Sequence, residues 1–410
     1  MKKIKVGLLG FGTVGAGVAD ILVNKKDIIA QNSSIDIDLK YICDKDITTD
    51  RGVNIPKKLL INDPEILLND EDIDIVIELI GGCDFAKNFI LRAAKKRKHI
   101  VTANKALLST HWEEIIDAVS KNNVDIMFEA SVAGGVPIIK AMRESLVGNK
   151  INTVMGIING TANYILTRMK DNNLSMEDAL KEAQKLGYAE ADPTFDIEGI
   201  DTAHKLSILV SLAFGVRAKL GNIYTEGITK ISLDDILYAD QLGYVIKLLA
   251  IAKEKDGNVE ARVHPTLISK DNLLSAVDGV FNAVYVNGDS VGDLIFYGKG
   301  AGRYPTASAI TADVVELAKR IGTDYRTNYT VNDSYKNILN FQRIESNYYV
   351  RLAVEDKPGV LASIANILAK NNINISSVIQ LQKRKEGCAP LVIMLHKARE
   401  KDVKKAIFRM

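Results

Sequence analysis

The chain of 410 residues sets 53 Lys+Arg against 51 Asp+Glu, a formal net charge of +2, with 47% hydrophobic and 25% charged residues. Such averages belong to soluble globular proteins and exclude a disordered, collagenous or disulfide-scaffold chain. At roughly 100–200 residues per domain the length implies two to four domains, and the near-neutral balance offers no basic field for nucleic acid or an anionic membrane. Three widely spaced cysteines, Cys43, Cys83 and Cys388, lack metal-ligand spacing and read as reduced packing residues of a cytoplasmic protein. The longest apolar run, Leu206 to Val216, is far short of the ~20 residues a membrane span needs. Met1-Lys2-Lys3 mimics the start of a signal peptide, but Gly7, Gly10, Gly12, Gly15 and Gly17 favour a strand and tight turn instead.

In chain order, residues 4–9 read as a buried strand, Gly10-Phe11-Gly12-Thr13-Val14-Gly15 as a turn, and a helix runs to about Val23. Residues 35–43 form a second strand and 73–79 a third, ending at Gly81-Gly82. A basic, Ala-rich helix over 88–98 leads into a strand at 99–102, then a helix over 112–122 and a strand over 124–129. Strands alternating with helices imply a parallel sheet covered on both faces. The texture changes at Ser131. Ala133-Gly134-Gly135-Val136-Pro137 opens a helix, 151–158 is a strand, and helices fill 161–215. Residues 244–300 read as long antiparallel strands, with turns at Asp256-Gly257-Asn258 and Asn287-Gly288-Asp289. An amphipathic helix over 307–321 and a polar linker over 322–347 follow. The last unit has strand 348–354, helix 360–370, strands 375–381 and 390–395, and a helix from 399.

The first glycine cluster carries the clearest chemistry. Gly10 permits a tight turn, Gly12 lets backbone approach a pyrophosphate, and Gly15 lets the helix pack closely, while the helix N-terminus offers N–H groups to phosphates. At the end of the second strand, Asp44 would take ribose hydroxyls and favour NAD, although Lys45 and Arg51 stand close by. Thr102-Ala103-Asn104-Lys105 ends a strand on the crevice side of such a sheet. The densest cluster is Gly187-Tyr188-Ala189-Glu190-Ala191-Asp192-Pro193 with Asp196, Glu198, Asp201 and Lys205. A helix over 197–214 would put Glu198, Asp201 and Lys205 on one face at i, i+3 and i+7. The continuation Leu206–Phe214 is apolar almost all round, so these charges head a buried helix and must meet a cleft or a partner. His204 points away from Lys205 and reads as a core or supporting residue. Ala133-Gly134-Gly135 after Glu129 and the loop Gly298-Lys299-Gly300-Ala301-Gly302 are two further permissive segments, the first able to hold a cation.

Taken in order, Gly-Leu-Leu-Gly-Phe-Gly-Thr-Val-Gly (7–15), Thr-Ala-Asn-Lys (102–105), Glu-Ala-Ser-Val-Ala-Gly-Gly-Val-Pro (129–137) and Gly-Ile-Ile-Asn-Gly-Thr-Ala-Asn-Tyr (156–164) form a pattern. With Gly-Tyr-Ala-Glu-Ala-Asp-Pro (187–193), Gly-Ile-Asp (199–201) and Gly-Ala-Gly (300–302), it closely resembles homoserine dehydrogenase over nearly all of residues 1–321. Glu-Asp-Lys-Pro-Gly-Val-Leu (355–361) resembles an ACT regulatory module. The resemblance implies an α/β protein with a Rossmann-type parallel sheet domain over 1–130, with 305–321 packing back on it. It further implies an α+β substrate-binding and dimerisation domain over 131–304, and a ferredoxin-like ACT module over 348–410. Such a module runs βαββαβ, so its last strand is expected to be missing or supplied by a neighbouring subunit.

The implied activity is reversible NAD- or NADP-dependent reduction of L-aspartate 4-semialdehyde to L-homoserine, on the route to threonine, methionine and isoleucine. By the same resemblance Lys205 is the general acid/base and Lys105 its companion. Asp201, Glu190 and Asp196 bind substrate, and Gly10, Phe11, Gly12, Thr13, Val14, Gly15, Asp44, Lys105 and Gly300 meet the cofactor. Main-chain oxygens of Glu129, Val132, Gly134 and Val136 would hold a structural monovalent cation, sodium. A homodimer or homotetramer and a threonine effector are also implied. Two rivals are a different Rossmann oxidoreductase, which Glu190 and Asp201 disfavour, and a non-catalytic nucleotide-sensing regulator, since both module types occur in regulators; no helix-turn-helix or basic patch supports DNA binding.

Overall fold

The computed structural model describes residues 2–323, 325, 327, 337–380 and 388–410. β1 (Lys2–Leu9) leads to α1 (Thr13–Asn24), α2 (Lys26–Ser33), β2 (Ile35–Cys43), β3 (Leu60–Ile61), α3 (Pro64–Asn69) and β4 (Ile75–Glu78). α4 (Asp84–Lys95), β5 (His99–Thr102), α5 (Lys105–Lys121) and β6 (Ile126–Met127) complete the unit. All six strands are parallel, in the order β3-β2-β1-β4-β5-β6. The order reverses between β1 and β4, which opens a crevice at their carboxyl ends. The central strands are buried on both faces, which explains their unbroken apolar runs. Val6, Leu8, Ile75 and Ile77 pack with Ala16, Val18 and Leu22 of α1, while Leu9, Val76 and Ile100 pack with Phe89, Ile90, Trp112 and Ile115 of α4 and α5.

The second unit opens with α6 (Ile138–Lys140), which continues as a π-helical turn over Ala141–Ser145. Then come β7 (Ile151–Ile157), α7 (Gly160–Asn172), α8 (Met176–Lys185), α9 (Thr194–Ile197) and α10 (Ile200–Phe214). β8 (Tyr224–Thr225), α11 (Leu233–Gln241), β9 (Tyr244–Lys255), β10 (Asn258–Ser269), β11 (Phe281–Gly288) and β12 (Gly292–Lys299) follow. β9 lies inside the sheet between β7 and β10 and is buried along most of its length. The β9–β10 hairpin turns at Asp256-Gly257, both at positive φ (51° and 74°), as a tight hairpin requires. α12 (Arg303–Arg320) returns to the first unit, where Ala307, Ile310, Val314 and Leu317 join the core beneath α1.

The segment expected to be an irregular linker is partly built into the second sheet. Of it, residues 324, 326 and 328–336 lie outside the described residues. β13 (Asn337–Ile338) pairs in parallel with β10, and the Phe341 ring stacks on Tyr224 at 3.5 Å. A polar composition concealed this aromatic anchor. The third unit has β14 (Glu345–Glu355), α13 (Val360–Lys370), β15 (Ile375–Gln380), β16 (Cys388–Arg399) and α14 (Glu400–Ile407). Its sheet is antiparallel in the order β14-β16-β15, with Val350, Leu391 and Ile393 packing against Ile364, Leu368 and Val403 of the helices. Leu381, the expected end of one strand, is outside the described residues. The opposite face meets the second unit, where Tyr349 Oη and Arg351 Nε donate to Asp235 at 2.8 and 2.6 Å. Among the described residues, no helix is long and apolar enough to cross a membrane.

Candidate active site

The crevice begins where β1 hands over to α1. Gly12 caps α1 without a side chain, so the first helical N–H groups stay free for an anion. A Cβ on Gly12 would meet nothing within 4 Å, whereas one on Gly15 would lie 2.0 Å from Gly10 O. Loop and helix therefore touch at Gly15 and leave space at Gly12. Phe11 buries its ring in the core, Thr13 is exposed, and Val14 lines the crevice. Asp44 does something the sequence did not disclose. Its Oδ2 accepts Phe11 N–H at 2.5 Å and its Oδ1 accepts Asp46 N–H at 3.0 Å, bracing the glycine loop. The carboxylate keeps further acceptor capacity. Arg51 is paired with Asp46 at 2.9 Å, and Lys45 is exposed.

A cleft of about 300 Å³ continues past Val14, lined by Glu78, Leu79, Gly81, Gly82, Ala103, Asn104, Lys105, Ala106 and Phe195. Glu78, missed in the sequence, ends β4 fully buried. Its Oε2 accepts Thr102 Oγ1–H at 2.7 Å and its Oε1 accepts Ile80 N–H at 2.9 Å, so one carboxylate holds both loops of the cleft floor. Burial raises its pKa, against the opposing pull of those bonds. Thr102 Oγ1 in turn accepts Asn104 N–H, and Asn104 caps α5 by accepting Leu107 N–H. Lys105 is thereby fixed as the first residue of α5.

Across the cleft stands Asp201 in the first turn of α10, only 4% exposed. Lys105 Nζ lies 3.0 Å from its Oδ1, and Lys205 Nζ lies 2.6 Å from its Oδ2. Lys205 Nζ also donates to Ile158 O at 2.7 Å. Burial works to raise the Asp201 pKa, but the Lys205 and Lys105 charges and bonds from Lys205 and Asn159 hold it well below the usual carboxylate range. Asn159, also missed, donates through Nδ2 to Asp196 Oδ1 at 2.7 Å and Asp201 Oδ2 at 2.9 Å. Its Oδ1 caps α7. The signals for it were its Asn-Gly position at the end of a strand and its place in the 156–164 motif.

The expected face of Glu198, Asp201 and Lys205 needs correction. Gly199 adopts φ +77 and begins α10, leaving Glu198 outside that helix at the end of α9. Asp201 and Lys205 alone share the face, one turn apart. Glu190 sits in an exposed loop, and its carboxylate makes no hydrogen bond or ion pair among the described residues. The fold thus joins Lys105, Asp201, Lys205 and, through Asn159, Asp196; Glu190 stays apart.

The remaining glycine loops meet each other. A Cβ on Gly300 would lie 2.1 Å from the Asn282 amide, and Gly134 lies directly against Gly300 O. Gly135 N–H donates to Lys299 O at 3.1 Å. The Glu129 carboxylate is spent on the N–H groups of Ile139 and Lys140, leaving its main-chain oxygen with one long bond of 3.4 Å from Val132 N–H. Val136 O accepts Ile138 N–H, whereas Val132 O and Gly134 O, both on buried residues, accept no hydrogen bond among the described residues.

The comparisons with known proteins agree with this geometry. A profile described as homoserine dehydrogenase matches residues 137–315, and one described as the homoserine dehydrogenase NAD binding domain matches residues 10–129. A homoserine dehydrogenase of Neisseria gonorrhoeae is 45% identical over 99% of this chain and 95% of its own length. The chain belongs to the homoserine dehydrogenase family. It is accordingly an NAD(P)-dependent oxidoreductase with a Rossmann-type domain, a second sheet domain and, over residues 348–407, an ACT domain. A family member from Pseudomonas aeruginosa is 44% identical over 99% of this chain and 95% of its own. The crystal structure of the homoserine dehydrogenase from Thiobacillus denitrificans superposes with a TM-score of 0.93 at 42% identity, covering 100% of this chain and 95% of that one. A hyperthermophilic archaeal homoserine dehydrogenase in complex with NADPH gives a TM-score of 0.66 at 27% identity, over 78% of this chain and 98% of its own.

Proposed function

We propose that the Lys105–Asp201–Lys205 cluster interconverts L-aspartate 4-semialdehyde and L-homoserine, with Lys205 as the general acid/base. One observation carries this reading: a buried carboxylate is clasped between two lysine ammoniums beside the nucleotide cleft. The uncapped N-terminus of α1 and the open space at Gly12 fit a dinucleotide. When bound, the nicotinamide supplies or accepts the hydride at the substrate carbon. Lys205 gives its proton to the forming alkoxide, or takes it back in oxidation, and Lys105 adds positive charge beside that oxygen. Asp201, already engaged by both lysines, aims them, while Asp196 and, from its exposed loop, Glu190 would take the ammonium of the amino acid. The backbone at Phe11 and Thr13 would meet the cofactor phosphates beside Val14, with Gly300 toward the nicotinamide side.

Asp44 at the end of β2 favours NAD, since a carboxylate suits ribose hydroxyls and repels a 2′-phosphate. The unpaired oxygens of Val132 and Gly134, with those of Glu129 and Val136, suit a monovalent cation such as sodium. The ACT domain takes threonine as an inhibitor, and the second sheet forms a homodimer or homotetramer. One initial-rate experiment tests the core of this: oxidation of L-homoserine with NAD or NADP, with and without threonine. Turnover is expected with both cofactors, more efficient with NAD, and slowed by threonine. No turnover above a blank would overturn the reaction, and a preference for NADP would overturn the role of Asp44.

A further inference from the structure

α5 belongs to the dinucleotide half and α10 to the substrate half, and two rungs join them. The first is the ion pair between Lys105 and Asp201 at the heads of the helices. The second lies one turn deeper. Ser109 follows Lys105 by four residues and His204 follows Asp201 by three, so each shares a face with the group above it. Ser109 Oγ and His204 Nδ1 are hydrogen-bonded, and both residues are buried, at 2% and 8% exposure. Ser109 Oγ–H donates to Ala106 O at 3.0 Å, which makes Oγ the acceptor and assigns the imidazole proton to Nδ1. Burial pushes the His204 pKa down, so the ring is neutral. Its ring packs against that of Phe195, a cleft-lining residue, at 5.3 Å between centroids. Arg217 of the substrate half also donates to Ser109 O at 2.5 Å. An apolar side chain would fill this space without the cost of desolvating an imidazole, so the hydrogen bond itself calls for a use.

We propose that His204, acting through Ser109, is a positioning residue for the reaction: the Ser109–His204 rung sets the separation of α5 and α10 and so where the Lys105 ammonium stands relative to Asp201 and Lys205. This rests on the reading of the two lysines given above. Neither Ser109 nor His204 touches the reacting atoms. Lys105 reaches Asp201 on a flexible four-carbon stem, so a helix shift of about 1 Å would leave the ion pair formed yet move its charge off the reacting oxygen. Misplacement on that scale costs on the order of 10²-fold in rate.

The test uses the full chain as Ser109→Ala, His204→Ala, their double variant and His204→Asn. The readouts are kcat, KM, the kinetic isotope effect with deuterated reduced cofactor, and the thermal midpoint. Each single alanine variant should lower kcat about tenfold or more and raise the isotope effect, with KM for the amino-acid substrate within about twofold. The double variant should be no slower than the slower single one, because both remove the same rung. His204→Asn should recover most of kcat, since its amide N–H lies near the Nδ1–H it replaces. Multiplicative losses in the double variant, losses that track the midpoint, or a fully active Ser109→Ala would overturn the proposal. Lys205→Ala in the same series separates the two claims. If it is fully active, the reading of the lysines fails; if it is dead beside a fully active Ser109→Ala, only the positioning role fails.

Discussion

Asp201 and Asp235 are nearly equally buried, at 4% and 5% exposure, and each is held by a cation from another unit of the chain. Asp235 accepts Ser232 N–H and Oγ–H, Tyr349 Oη–H, and the Nε and Nη2 groups of Arg351. Arg351 grips Asp235 through Nε and Nη2, and Nη2 also donates to Ser232 Oγ at 3.2 Å, which ties the ACT domain to the second sheet domain. Asp201 is held instead by two lysines, each a point charge with three donors. Lys205 donates to Asp201 and Ile158 O, whereas the Lys105 ammonium pairs with Asp201 alone among the described residues and lines the cleft. The same kind of buried acid is gripped by one planar guanidinium at a domain junction and shared by two point charges, one of them lining a cavity, at the candidate site.

That contrast breaks most sharply at Lys205. Lys205→Ala should lower kcat for L-homoserine oxidation by about 10³-fold, with little change in thermal midpoint, because Asp201 keeps Lys105 and Asn159. A fully active variant would leave the cluster no more reactive than Asp235. Asp201→Asn should lower kcat by about 10²-fold, as the lysines lose the anion that aims them. Here the check is the pH–rate profile: the profile should move with the substitution, and an unmoved one would show that Asp201 does not set the lysines. At the Asp235 junction the effect should change kind. Asp235→Ala removes the carboxylate half of a capping box and the partner of Arg351, so it should cost about 3 kcal/mol in chemical denaturation while kcat without effector stays within about twofold. A large loss of kcat at unchanged stability would reverse the two roles.

Much of the dinucleotide half was legible in the sequence, because two-sided burial writes apolar runs and the glycine loop has strict steric needs. β2 and β5 have the expected bounds. α2 was not foreseen, since Lys26–Ser33 carries no buried residue and so no apolar stripe. In the site, Asp201 and Lys205 announced themselves by charge at the head of an apolar helix, and Lys105 by its place at a strand end on the crevice side. Asn159, Glu78 and the Ser109–His204 contact did not. Their roles depend on partners far along the chain, 42 residues for Asn159–Asp201 and 95 for Ser109–His204, and no local period encodes such a pairing. Glu198 was misplaced for the opposite reason. Helical spacing continued through it on paper, but Gly199 packs against Val263 and Thr225 at positive φ and starts the helix later.

The smallest effect sharpens the comparison through pH. His264 lies on β10 beside Tyr224, whose ring stacks on Phe341 under Lys404 at the ACT side. Its Nδ1–H donates to Pro265 O at 2.8 Å, and its Nε2 accepts Arg262 Nε–H at 3.1 Å, so a second proton would meet a donor. Burial, with Arg262 adding to it, pushes the His264 pKa down to about 4. The unfolded chain, with a histidine pKa near 6.5, takes up the proton first. The stability this ring contributes is therefore fully present above about pH 6.5 and lost as pH falls toward 4. For a ring that is only half-buried the loss should be about 2 kcal/mol. Asp201 and Asp235, both held below the usual carboxylate range, lose their contribution only at more acidic pH, beneath the unfolded carboxylate value near 4. Between pH 7 and 5 the thermal midpoint of the wild-type chain should fall, and that of His264→Gln should fall less. Equal slopes in the two proteins would remove His264 as the group that titrates, and with it the acid sensitivity assigned to the ACT side.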